Sequence, residues 1–64
     1  MKITDSVAVL NDKYSNDVRM GQVGTIVEVF GRDNNIFEVE FCDEGKTVAT
    51  CVMQQKDLLK LYFK

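Results

Sequence analysis

Apolar and polar side chains alternate most regularly in the middle of this chain, over the segment IFEVEF. In an extended backbone, the phenylalanines and the valine of this segment lie on one side, and Glu38 and Glu40 lie on the other. This period of two predicts a strand over residues 36–41 with one buried face. Residues 23–30 are rich in β-branched side chains and predict its hairpin partner, with residues 31–35 as the loop.

The alternation also predicts how these two strands pair. Apolar side chains meet apolar ones if Val29 lies opposite Phe37, Val27 opposite Val39, and Glu28 opposite Glu38. A slip by one residue would turn the whole apolar set toward solvent, so this register is expected.

The turn that follows, CDEGKT, allows two registers for the fourth strand. A three-residue turn with Gly45 in the left-handed position directs Ala49, Cys51 and Met53 inward. A two-residue turn at Glu44 and Gly45 directs Val48, Thr50 and Val52 inward instead. The three-residue turn is favoured because it buries no hydroxyl group.

Three further elements complete the prediction. Residues 6–10 form a first strand, and the polar segment 11–22 forms a long loop. Gly21 and Gly24 stand where this loop enters the second strand, which suits a bend or a close approach of the backbone. Residues 54–58 predict one helical turn, and residues 59–63 a short closing strand.

Five short antiparallel strands, a long first loop and a helical turn before the last strand predict an all-β fold, a small SH3-like five-stranded barrel. An OB-fold is the alternative, although it usually needs a longer chain and a helix between its third and fourth strands. A length of 64 residues leaves room for one core, so residues 1–64 are expected to be a single domain. The predicted core comprises Val7, Val9, Val23, Val27, Val29, Phe37, Val39, Phe41, Ala49, Cys51, Leu58, Leu59 and Leu61.

Composition narrows the class of protein. With 45% hydrophobic and 28% charged residues, the chain lies in the range of folded domains. Its longest apolar run, the four residues 7–10, is too short to cross a membrane, and polar residues follow Lys2 where a signal peptide would be apolar. Two cysteines, Cys42 and Cys51, are expected to be free thiols on opposite strand faces, which favours a cytoplasmic location. No metal and no cofactor are expected, because histidine and Cys-x-x-Cys pairs are absent from the sequence.

Several motifs resemble a family of short bacterial and cyanobacterial proteins of unknown function. The segments DSVAVL, GQVGTIVEV, FEVEFCD and KDLL match that family's pattern, which covers residues 5–61. The pattern runs Asp-x-Val-Ala-Leu, then Gly-Gln-x-Gly-Thr-Val-Val-Glu, then Glu-Val-Glu-Phe-x-Asp. Val18 stands where the family usually has leucine, and the turn around Gly45 is about one residue shorter. The resemblance implies an SH3-like barrel and no particular biochemistry.

Candidate chemistry lies in two places. Glu28, Glu38 and Glu40 are expected to share one strand face, either as an acidic contact surface or as an ordinary solvated face. In the long loop, Tyr14, Arg19 and Met20 are of types that are enriched in protein interfaces. The alternative for the loop is that Tyr14 and Val18 fold back as a small core beneath it.

These residues favour a non-enzymatic module that binds a larger protein, as an accessory subunit or as a neutralising partner of the antitoxin or immunity type. A KOW-like module that binds nucleic acid in transcription or translation is the alternative. The charge balance counts against nucleic acid, because 8 scattered basic residues face 10 acidic ones. The absence of histidine counts against an enzyme. The C-terminal segment 59–63 also allows a homodimer through pairing of edge strands.

Overall fold

A computed structural model describes residues 1–14 and 17–62 of the chain. These residues form five antiparallel strands in one sheet, with the order β4-β3-β2-β1-β5. The strands are β1 (Ser6–Val9), β2 (Val23–Phe30), β3 (Ile36–Asp43), β4 (Lys46–Gln54) and β5 (Leu58–Lys60), and the 3₁₀ helix Gln55–Asp57 precedes β5. The all-β prediction is therefore confirmed. Within the described residues the edge strands β4 and β5 do not pair with each other, so the sheet is not closed.

The alternating face of β3 forms the centre of the core, as predicted. Phe37, Val39 and Phe41 are fully buried, and Val7 and Val9 of β1 lie with them. Val18 from the long loop and Met53 from β4 complete this core together with Ile26 and Leu58. Val18, Ile26 and Met53 were not among the predicted core residues, although Met53 was expected to point inward and Val18 was considered as part of a small core beneath the loop. Ile26 lies beside a register shift in β2.

A bulge in β2 corrects the predicted register between β2 and β3. Val29 pairs with Phe37 and Glu28 pairs with Glu38, as predicted, but beyond them the register shifts and Ile26 pairs with Val39. The predicted pairing of Val27 with Val39 is therefore wrong. The extra residue turns Ile26 inward and leaves Val27 only partly buried.

A second bulge reconciles the two registers that the sequence allowed for β4. The turn has two residues, since Asp43 pairs with Lys46, and both residues between them have positive φ angles, +52° at Glu44 and +80° at Gly45. The preference for a three-residue turn is therefore wrong. After the next pair, Cys42 with Thr47, the register shifts by one residue and Ala49 lies opposite Phe41. The inward set is therefore still Ala49, Cys51 and Met53.

Two predicted core residues lie on the outer face of the sheet instead. Val23 is 51% exposed and Leu59 is 53% exposed. Both pair with Ala8 of β1, from opposite sides, and Ala8 lies between the inward-facing Val7 and Val9. Leu61 is only partly buried, and Phe63, the predicted end of the last strand, lies outside the described residues.

Gly24 of β2 is required because its backbone lies against two buried side chains of β3. It pairs with Val7, and a Cβ atom at this position would lie 2.6 Å from Cγ1 of Val39 and 2.8 Å from Cδ1 of Phe41. No ordinary side-chain contact is that short, so only glycine allows β2 to pack this closely on β3. The expected close approach at this residue is confirmed.

Candidate functional site

The carboxylate of Asp57 binds side chains of the long loop after β1 and so attaches this loop to the 3₁₀ helix. Although charged, Asp57 is only 4% exposed. Asn11 Nδ2 donates a hydrogen bond to Asp57 Oδ1 at 2.6 Å, the Tyr14 hydroxyl donates one to Oδ2, and Lys13 Nζ lies 3.0 Å from Oδ2. We call these four residues, Asn11, Lys13, Tyr14 and Asp57, the loop latch.

Electrostatics within the loop latch favour the ionised form of Asp57. The hydrogen bond from Tyr14 and those from Lys13 and Asn11 outweigh the cost of burial and lower the Asp57 pKa to about 2. Lys13 has a raised pKa, chiefly because it donates to this carboxylate. The pKa of Tyr14 is also raised, first by burial and then by its bond to Asp57. The loop latch is thus a compensated charge cluster.

The Tyr14 hydroxyl has a second role, because it also accepts a hydrogen bond from the backbone N–H of Gln54 at 3.0 Å. The loop is therefore joined both to the 3₁₀ helix and to the end of β4. Tyr14 packs against the core and Val18 is buried in it. This is the arrangement expected of a small core beneath the loop, and it accounts for Tyr14 without a binding role.

The end of the loop is a tight turn that presents Met20. Gln22 N donates to Arg19 O at 3.0 Å, and Gly21 has a φ angle of +87°, as the third residue of a type II turn requires. Met20 N donates to Asp12 Oδ1 at 2.6 Å, which ties this turn back to the start of the loop. Arg19 is exposed, and Met20 is 63% exposed.

The predicted acidic residues do share one face. Glu28 of β2 pairs directly with Glu38 of β3, and Glu40 follows two residues later on the same side of β3. Glu28 is exposed, whereas Glu38 and Glu40 are partly buried. Across the described part of the chain the ion pairs are Lys13 with Asp57 and Lys60 with Asp5, so none of these three glutamates has a cationic partner there. We call Glu28, Glu38 and Glu40 the acidic face.

The other reactive groups show no assembled site. Cys42 is exposed and Cys51 partly buried, both as free thiols, and burial raises the pKa of Cys51. Across residues 1–14 and 17–62, no three His, Cys, Asp or Glu side chains are grouped so that they could hold a metal ion. The same residues contain no helix of the length and hydropathy needed to span a membrane.

The model of a protein family, a domain of unknown function (DUF4926), matches residues 3–60 of the chain. The chain belongs to this family. The match agrees with the resemblance to an uncharacterised family that the sequence motifs indicated. No curated protein and no solved structure matched the chain.

Sequence reasoning found the acidic face but missed the centre of the loop latch. Asp57 and Asn11 were not candidates, because their partners lie 46 residues apart in the sequence and no local pattern links them. The only local signal was a carboxylate just before a leucine pair that enters the core, at residues 57–59. A buried carboxylate at such a position needs donors from elsewhere in the chain.

Proposed function

We propose that this protein is a non-enzymatic module that binds a larger protein in the cytoplasm, as an accessory subunit or as a neutralising partner. The observation that carries the proposal is the acidic face. Three carboxylates share one side of adjacent strands and lack cationic partners in the described residues. Like charges that face each other across strands are unfavourable in the free protein, and a basic partner would relieve that repulsion.

Two exposed residues of the long loop, Arg19 and Met20, give the same proposal weaker support. The loop latch and the turn at residues 19–22 fix the backbone that presents Arg19 and Met20 to solvent. A loop backbone that is fixed before binding loses less conformational entropy when a partner covers it. Arg19 and Met20 are therefore assigned to the contact surface, whereas Tyr14 is assigned to holding the loop.

We also propose that the fold is SH3-like. The strand order β4-β3-β2-β1-β5, the long loop after β1 and the 3₁₀ helix before β5 are the features that support it. In this arrangement the acidic face covers the outer side of the β2-β3 part of the sheet. It therefore lies away from the core and is accessible to a partner.

A tagged pull-down from the native cytoplasm tests the proposed function. The sample is divided between low and high salt, with and without nuclease, and the bound proteins are identified by mass spectrometry. The expected result is one stoichiometric protein that resists nuclease. The triple variant Glu28→Gln, Glu38→Gln, Glu40→Gln should lose it, whereas the control Asp33→Asn, Asp43→Asn, Glu44→Gln, with the same change in charge, should retain it.

Two outcomes would contradict the proposal. Recovery of ribosomal or transcription proteins that disappear after nuclease would favour the KOW-like alternative instead. Equal loss of the partner in both triple variants would show that net charge matters and that the acidic face does not.

A further inference from the structure

Strand β4 has an open edge. It has nine residues, Lys46–Gln54, and in the described part of the chain it pairs only with β3. Its outer side chains Val48, Thr50 and Val52 are exposed and uncharged. Proteins usually protect such an edge with charged residues, proline or a cover, because it can pair with another strand. Here the only charged side chain of the strand is that of Lys46, next to the turn.

The backbone of β4 presents its donors toward this edge. Gln54 N donates to the Tyr14 hydroxyl, so this N–H points away from β3. Alternate residues of a strand orient their N–H groups in the same direction. The N–H groups of Thr50 and Val52 therefore also point away from β3, into the space beside the edge.

The loop latch limits how much of the edge is available. The Tyr14 hydroxyl occupies the donor of Gln54, and Asp57 holds Tyr14 in place. The free stretch is therefore residues 48–52, which is about 17 Å of extended backbone. That length matches an ordinary short strand.

The charge beside the free stretch indicates what kind of strand would fit. Thr50 pairs with Glu40 and Val52 pairs with Glu38, so two carboxylates lie one strand inward on the outer face. A strand added to β4 would lie about 10 Å from β3, within the combined reach of a lysine or arginine and a glutamate. A second copy of β4 would bring only Thr50, Val52 and other uncharged residues to this face, so it would leave both carboxylates uncompensated.

We propose that a partner protein adds a strand to the edge of β4 at residues 48–52, and that this strand carries lysine or arginine at alternate positions facing Glu38 and Glu40. The inference rests on the proposed interaction function, to which it adds the binding mode and the chemistry of the partner. Main-chain hydrogen bonds supply affinity in such a mode, and the alternate side chains supply specificity.

The experiment uses a synthetic peptide of about nine residues in which lysine and valine alternate, blocked at both ends. Binding is followed by NMR of the amide groups and by fluorescence anisotropy at low salt. The amide signals of Thr50 and Val52 should shift and become protected from exchange. A peptide with glutamate in place of lysine, and a peptide with the lysines in one block, should both bind at least about five-fold more weakly.

Variants of the protein distinguish binding at the edge of β4 from nonspecific electrostatic attraction of the peptide. Val52→Lys places a cation opposite Glu38 and beside the incoming lysines, and it should weaken binding at least about ten-fold while the fold is retained. The double variant Glu38→Gln, Glu40→Gln should weaken binding about five-fold. Its control, Asp33→Asn with Glu44→Gln, removes the same charge from two turns and should change affinity by less than about two-fold.

Three results would overturn the inference. These are tight binding of the glutamate peptide, amide shifts confined to β1 and β5, and a homodimer in sedimentation that Val52→Lys dissociates. The pull-down tests the proposed function separately from this inference. If the pull-down identifies a partner that retains its affinity for Val52→Lys, the interaction function stands and the edge of β4 is excluded as its site.

Discussion

Carboxylates occur in two opposite settings in this molecule. In the loop latch, Asp57 is buried and receives hydrogen bonds from Asn11 and Tyr14 together with the charge of Lys13. In the acidic face, Glu28 and Glu38 face each other across two strands, and the described residues provide no cation for either. The compensated charge of Asp57 ties two parts of the fold together, whereas the charges of Glu28 and Glu38 are the ones we propose for contact with a partner. The groups around a carboxylate, and not the residue type, therefore decide whether its charge is compensated within the fold.

The largest effect is expected from Asp57→Asn. The substitution leaves Lys13 without its ion pair and places an amide group next to the donors of Asn11 and Tyr14. Thermal unfolding followed by circular dichroism should show a greater fall in Tm than for any acidic-face variant. Asp33→Asn, an equivalent change in an exposed turn, is the control and should leave Tm unchanged. Equal Tm values for the two variants would mean that the loop latch does not stabilise the fold.

Acid should remove the same stabilisation without any substitution. The Asp57 pKa is about 2 in the folded protein, below its value of about 3.9 in an unfolded chain. The contribution of the carboxylate to stability is therefore fully present above about pH 4 and is lost as the pH falls through about 2. Urea unfolding at pH 7, 4 and 2.5 should show the wild-type protein approaching Asp57→Asn at the lowest pH. If the difference in free energy of unfolding between the two proteins stayed constant with pH, Asp57 would not be the ionised group that stabilises the loop latch.

Tyr14→Phe should have a smaller effect, because it removes only the hydroxyl group. That hydroxyl donates to Asp57 and accepts from Gln54 N, so its loss should lower the free energy of unfolding by about 1–2 kcal/mol. Chemical denaturation measures the difference. Tyr62→Phe is the matched control, since Tyr62 is exposed and makes no hydrogen bond through its hydroxyl in the described structure. A change of similar size in the control would count against the assigned role of Tyr14.

The smallest effect is expected in the acidic face, and it has the opposite sign. Glu28→Gln removes the repulsion between Glu28 and Glu38 and should raise the free energy of unfolding by about 0.5 kcal/mol. The gain should disappear in high salt, because salt screens exposed charges. Glu44→Gln, in the turn before β4, should show no such gain. A loss of stability in Glu28→Gln would mean that the hydrogen bond from Val29 N to Glu28 Oε1 contributes more than the repulsion costs.

Local patterns were enough to predict the part of the fold that the site needs. The alternation in β3 placed Glu38 and Glu40 on the outer face, and the pairing of Glu28 with Glu38 followed from matching apolar residues across the hairpin. Both are consequences of a two-residue period, which depends only on neighbours in the chain. The inward set of β4 was also predicted, although for the wrong turn.

The errors occur where one residue is added to a strand. The bulges beside Val27 in β2 and Val48 in β4 have no sequence signature, since β-branched residues suit both a regular strand and a bulge. Their positions depend on how the sheet bends over the buried phenylalanines, and that requires the packed core. Val23 and Leu59 were wrong for a related reason. Both pair with Ala8, between the inward-facing Val7 and Val9, and neither segment's own sequence records that pairing.

The sequence by itself determined an all-β chain, its central hairpin and the acidic face, because each of these depends on contacts between residues close in the chain or on the simple alternation of strands. Only the tertiary structure decided that Asp57 is buried and that Tyr14 holds the loop and covers one end of β4, while no other described residue pairs with the rest of that edge. Those features join residues 40 to 46 positions apart. The physical reason is that a hydrogen bond depends on distance and direction in space, which the fold creates and no local pattern records.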